Sequence, residues 1–364
     1  MLIFDGHLDL AWNALQWGRD LTLPAHTIRT LEVDLPGRGR ALGTVALPDL
    51  RRGGVGLCVA TLLARSTGTV VQHLDWPSAQ QAFAVAQGQL AYYTALERVG
   101  LVRIIRSASD LERCVEEQVR YAAAEQDEAP PLGLVLSMES ADPVLAPDDL
   151  EEWTRAGVRA IGPAHYGPGR YAGGTGTELG LTDLGRALLV EMERLNVVLD
   201  VTHLSDRAFD EALELYGGPI WASHSNCRAL VPHQRQFSDD QLRRIVERDG
   251  VVGAAFDAWM LQPGWIRGVS RNDAVSMGAV VDHIEHVCRL AGDARHAAIG
   301  SDLDGGFGRE QSPHDLDTIA DLQRLPALLA ERGYTEDDLT SIMHGAWVNL
   351  LRRVWADDGA EPAT

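Results

Sequence analysis

Five side chains that metal ions accept stand at the ends of apolar, strand-like runs: His7, Asp9, Glu139, His203 and His224. In residues 2–10, LIFDGHLDL, the imidazole of His7 and the carboxylate of Asp9 are two positions apart. On a strand that spacing puts both on one face, where they can grip a single ion. One His-x-Asp is weak on its own, because polar residues at strand ends more often bond to neighbouring loops. The weight comes from repetition: GLVLSME (133–139), VVLDVTH (197–203) and PIWASH (219–224) each close an apolar stretch with a residue that zinc accepts. Together they read as a two-metal hydrolase built in a barrel.

The 32 basic residues are all arginine, and there is no lysine. Schiff-base, pyridoxal-anchoring and P-loop lysines are therefore excluded. A carboxylated lysine bridging two metals is excluded as well, so a bridge must be a carboxylate, and Glu139 is the candidate. Cys58, Cys114, Cys227 and Cys288 are widely spaced with no Cys-x-x-Cys, which points to buried free thiols rather than a thiolate zinc site or a disulfide framework.

Elements that could position these residues recur along the chain. Apolar runs at 2–10, 55–63, 132–138, 158–164, 197–202, 219–223, 251–258 and 297–301 alternate with segments of helical period at 78–99, 148–156, 182–195, 206–216, 238–248 and 277–290. Thr182 and Ser205 are placed to cap two of these helices. Eight strands with intervening helices predict a (β/α)8, TIM-like barrel, and no Gly-x-Gly-x-x-Gly follows a strand as a dinucleotide fold would require. Residues 1–355 form one catalytic domain in this reading, with insertions near 20–50 and 163–180, an extra short strand at 101–105 and a frayed tail at 356–364. The glycine-rich insertion at 163–180 follows the fourth strand and is expected to be a flexible lid. His283 and His286, three apart on a helix, are expected on a solvated face.

At 364 residues with a formal charge of −20, the chain is long enough for one large core and too acidic to favour nucleic acid or an anionic membrane. No apolar run reaches 18 residues, and no basic leader precedes the first strand, so a cytoplasmic protein without a membrane anchor is expected.

Taken in order, DGHLDL (5–10), EMERL (191–195), DVTHLS (200–205), SHS (223–225) and GSDLDG (300–305) resemble the membrane (renal) dipeptidase family of zinc peptidases, from residue 5 to about 350. The resemblance implies a (β/α)8 barrel carrying two Zn²⁺ at its C-terminal mouth. His7 and Asp9 would hold one ion, His203 and His224 the other, and Glu139 would bridge them. His165 matches the family histidine that contacts the tetrahedral intermediate, Arg235 the arginine that receives the substrate carboxylate, and Asp302 the aspartate that handles the catalytic proton. Asp304 competes with Asp302, and Arg228 with Arg235.

The implied activity is hydrolysis of dipeptides with a free C-terminal carboxylate by a zinc-bridged hydroxide, by a chain that could form a homodimer. The alternative keeps the metals but acts on N-acyl amino acids, lactones or other small amides. Ser140 after Glu139, Gln236 after Arg235 and the HYGPG run at 165–169 depart from the family pattern, and these departures bear on substrate preference.

Overall fold

The computed structural model describes residues 1–124 and 128–356. The expected frayed tail therefore lies, from residue 357 on, outside the described residues. Among the described residues nine short strands form one parallel sheet: β1 (Ile3–Leu8), β2 (Val55–Leu62), β3 (Val102–Ile104), β4 (Leu132–Glu139), β5 (Val158–Gly162), β6 (Val198–Asp200), β7 (Ile220–Trp221), β8 (Val252–Ala254) and β9 (Ala297–Ile299). Their order is β7-β6-β5-β4-β2-β1-β9-β8. A bridge between Ala222 and Val252 brings the two ends together, giving a nearly closed eight-stranded barrel. The strands are buried and rich in valine, leucine and isoleucine, as a parallel sheet covered on both faces requires.

The ninth strand, β3, is the short extra one. It pairs with residues 132–134 of β4, and β5 takes over the same partner from Leu136 onward. It supplements the barrel wall without entering the ring.

Alternate strand residues divide the core. Phe4, Leu57, Val59, Val135, Ala160, Val198, Trp221 and Ala298 meet one another and Trp347 inside the ring. Trp347, from helix Ala346–Val354, donates to the carbonyl of Ile299 and packs its indole against Trp221 at a centroid distance of 5.6 Å. Residues of the opposite phase, among them Cys58, Ala60, Leu134, Leu136 and Leu199, join the cluster that includes the surrounding helices. Helix Asp183–Arg194 starts at Thr182 and helix Asp206–Leu215 at Ser205, and each cap hydroxyl accepts a main-chain N–H.

Two expectations need correction. Residues 163–180 are not a loose lid: bridges join Tyr166 to Thr175, Pro168 to Gly173 and Gly174 to Leu204, while Tyr171 is fully buried. Its glycines allow backbone to pack on backbone, since a Cβ at Gly174 would stand 1.8 Å from the carbonyl oxygen of His165. His283 and His286 are likewise buried rather than solvated. The Nδ1 of His283 accepts from the main-chain N–H of Cys227 at 3.0 Å, and the Nε2 of His286 lies 2.7 Å from Asp239.

Candidate metal centre

The C-terminal ends of the strands deliver the candidate ligands to one place. His7 sits in β1, but simple alternation does not aim it. The pairing of β1 with β2 slips between Asp5 and Leu8, where three steps of one strand face two of the other. Such a bulge re-aims the side chains at its site. Asp9 lies beyond the strand, at the start of helix Leu10–Leu15, and its carboxylate accepts from the hydroxyl of Thr61. Glu139 is the last residue of β4, and His203 and His224 follow β6 and β7. Ser140, His203 and Asp302 all take positive φ, at 105°, 67° and 57°. Side-chain-bearing residues rarely adopt that conformation, and here it clusters where the chain turns at the strand ends.

Two buried carboxylates that the sequence reading passed over hold this rim together. Asp5 accepts from the main-chain N–H groups of His7 (3.1 Å) and Ser301 (2.8 Å). Asp200 does the same for Thr202 (3.0 Å) and Ser223 (3.1 Å). Each ties the strand bearing it to its neighbour beside a candidate ligand. The signal was an aspartate two residues before His7 and three before His203.

Ligand atoms converge in three overlapping sets, His7 with His224 and Asp302, Glu139 with His203 and His224, and His7 with Asp9 and Glu139, each within 4.8 Å. In the second set the Nε2 atoms of His203 and His224 are 3.1 Å apart, and they lie 3.2 and 3.3 Å from Oε1 of Glu139. Ligands about 2.0–2.1 Å from a tetrahedral ion stand roughly 3.3 Å apart, so the spacing fits a metal cage. In the third set, His7 Nε2 is 3.7 Å from Asp9 and 3.6 Å from Glu139. That Nε2 atom is buried without a hydrogen-bond partner.

Charge makes the same case. Burial and the nearby Glu139 carboxylate push Asp9 up to about 7, and burial, against the pull of His7 and reinforced by Glu139 and Asp9, holds Asp302 well above the usual carboxylate range. Burial disfavours the charged form of His7, yet Glu139, Asp9 and Asp302 outweigh it and raise the imidazole to about 10. Burial drives His203 and His224 well below the usual histidine range, leaving neutral rings. Neutral imidazoles beside crowded carboxylates form a donor set that calls for cations.

A cavity of about 300 Å³ opens over these residues, with Trp12, Leu63, Tyr166, Met260 and Phe307 among its apolar lining. Arg235 and Asp302 also line it, whereas Arg228 and Asp304 do not. Arg228 is paired with Asp206 at 2.6 and 3.0 Å. Asp304 is spent on structure, accepting from Thr44, Val45 and Arg19. Arg235 is 3% exposed and donates to the carbonyl of His224 (2.8 Å) and to Ser225 Oγ (3.3 Å). Its Nε has no partner, and no carboxylate pairs with it among the described residues. His165 faces the cluster with Nε2 3.5 Å from Glu139, and burial lowers its imidazole to about 3.

A parallel barrel with a carboxylate and imidazole cluster at the C-terminal ends of its strands defines a metallohydrolase of TIM-like architecture. The sequence profile of the membrane dipeptidase family, peptidase family M19, matches residues 1–361, and the chain belongs to that family of metal-dependent dipeptidases.

An uncharacterised Klebsiella pneumoniae protein encoded in the pqqA 5′ region is 32% identical over 266 residues, spanning 70% of this chain and 90% of its own. An uncharacterised dipeptidase of Schizosaccharomyces pombe is 31% identical over 214 residues, which is 58% of this chain but only 49% of the yeast protein. Among solved structures, a Rhodobacter sphaeroides metallopeptidase bound to a phosphinate mimic of the dipeptide L-Ala-D-Ala superposes with a TM-score of 0.77 at 26% identity, covering 98% of this chain and 99% of that one. No helix among the described residues is long and apolar enough to cross a membrane.

Proposed function

We propose that the protein is a binuclear zinc dipeptidase that cleaves short peptides with a free C-terminal carboxylate. The observation that carries this reading is the buried guanidinium of Arg235, without an ionic partner in the cavity that the candidate metal cluster lines. A planar fork of donors suits a carboxylate, and its own charge is uncompensated until an anion arrives.

His7 and Asp9 would hold one zinc ion and His203 and His224 the other, with the two oxygens of Glu139 shared between them. When bound, such a pair lowers the pKa of a shared water towards neutrality and polarises the scissile carbonyl. Asp302, which lines the cavity beside the cluster, would take the proton of the attacking water and return it to the leaving amine. His165 offers an N–H to the carbonyl oxygen as charge builds there. Arg235 anchors the far end of the substrate, fixing the register of the peptide bond against the cluster.

The test is a hydrolysis profile across L,L- and L,D-dipeptides, their C-terminal amides and N-acyl amino acids, with metal content measured on the same preparation. Dipeptides with free carboxylates should be the best substrates, and activity confined to N-acyl amino acids or lactones would replace this reading. The same preparation on a sizing column with light scattering tests the homodimer.

A further inference from the structure

Four imidazoles surround Oε1 of Glu139, with Nε2 of His203 at 3.2 Å, His224 at 3.3 Å, His165 at 3.5 Å and His7 at 3.6 Å. Distance does not separate His165 from the candidate ligands. The partner of the other ring nitrogen does, because a neutral imidazole carries one proton and only the unprotonated nitrogen can bind a metal.

The Nδ1 of His203 lies 3.1 Å from Oγ1 of Thr175. That hydroxyl can give its own proton to the carbonyl of His203 at 3.2 Å, so its oxygen is free to accept Nδ1–H. Nε2 of His203 then turns a lone pair towards the cluster. The Nδ1 of His224 lies 2.9 Å from Oγ of Ser223, a hydroxyl that can play the same part. His165 differs. Its Nδ1 is 3.0 Å from Nη1 of Arg65, and a guanidinium has no lone pair to offer. Nδ1 must accept, so the ring proton sits on Nε2, the nitrogen facing Glu139.

We propose that Arg65 is a positioning residue that fixes the tautomer of His165, making it an imidazole that donates at the cluster instead of ligating. This rests on the reading of His165 as the donor to the reacting carbonyl oxygen. Arg65 is built for the task. It is 6% exposed, its Nη2 bonds to Asp75 at 3.0 Å, and Nη1 also reaches the carbonyl of Tyr166 at 3.1 Å. Asp75 is itself held by the main chain and hydroxyl of Thr67, and the backbone of Arg65 pairs with Leu74 and Trp76 on the same loop. With its charge matched by Asp75, Arg65 is not an open seat for a substrate carboxylate.

The experiment compares Arg65→Met, which removes the donor, with Arg65→Lys, which keeps a group able only to donate. The protein is labelled with ¹⁵N-histidine, and His165→Gln identifies the His165 signals. In the wild type, Nε2 of His165 should be protonated and Nδ1 bare, and Arg65→Met should move population to the Nδ1–H form. The same variant should lower kcat on the order of 100-fold, with KM and metal content unchanged, and weaken binding of a phosphinate dipeptide analogue in proportion. Arg65→Lys should recover most of both. A wild-type ring protonated on Nδ1 would overturn the proposal, as would Arg65→Lys failing as badly as Arg65→Met while still holding its metals. Full activity in His165→Ala would instead strike the donor role assigned to His165, and the nitrogen signals would still report whether Arg65 sets the tautomer.

Discussion

The guanidinium of Arg235 donates across 2.8 Å to the main-chain carbonyl of His224, whose imidazole belongs to the candidate metal cluster. One residue thus supports both the proposed carboxylate anchor and the chemical centre, so the distance between them is set by a single stretch of backbone. A charge-assisted hydrogen bond contributes roughly 1.5–3 kcal/mol, and Arg235→Ala should lower kcat/KM for a free dipeptide by about 10- to 200-fold. Metal content should stay the same. Against a C-terminally amidated substrate the loss should be much smaller, and equal losses on both would show that Arg235 serves the fold instead.

Purified protein should contain about two zinc ions per chain, since the cluster offers more ligands than one tetrahedral ion uses. Glu139→Gln should lose more metal than His7→Ala or His203→Ala, because a shared ligand loosens both ions. Elemental analysis after dialysis checks this, and equal losses across the set would show that Glu139 does not bridge.

Asp302→Asn keeps the shape of the side chain but cannot take a proton. It should lower kcat by about 10²- to 10⁴-fold and leave KM close to wild type. Asp304→Asn should behave differently, lowering the melting temperature, because Asp304 ties Thr44, Val45 and Arg19 to the rim. If the two variants exchanged these behaviours, the roles of the two aspartates would have to be exchanged as well.

Burial depresses His283 from its ordinary 6.5 to about 4. Between those values the unfolded chain binds a proton that the folded chain refuses, so stability is present above pH 6.5 and declines as the pH falls towards 4. The contribution is up to about 3 kcal/mol. In denaturation of metal-free protein, His283→Gln should show a shallower decline across that window. An unchanged slope would mean that the ring protonates without cost in the fold.

The barrel was legible because each of its eight ring strands falls on an apolar run of five to nine residues, and β1, β2 and β4 are buried along their whole length. The convergence of His7, Glu139, His203 and His224 follows from the same logic, since strand ends of a parallel barrel share one rim. Arg65 and Asp75 were not legible. They sit on a loop after β2 with no motif around them, and their meaning lies in a contact with His165, a hundred residues away. The glycines of 163–180 misled for a related reason: composition cannot distinguish a glycine that frees a loop from one that lets two backbones touch. His283 and His286 misled because polarity was taken for exposure, whereas a main-chain donor and a carboxylate satisfy them inside.

The strand that opens the barrel also closes it, for β1 lies between β2 and β9 and pairs Asp5 with Ile299. A ribosome adding about 5–20 residues per second needs about 15–60 s to make the intervening chain. For that interval the nascent β1 has one bare edge, and His7 and Asp9 wait in turn for Glu139, His203 and His224. Metal capture by the proposed ligand set must therefore wait until His224 has been made, and Asp302 joins it only with the strand that shuts the ring. Until then the growing polypeptide carries an open strand edge that invites mispairing, a hazard that falls to chaperones or to prompt pairing with β2.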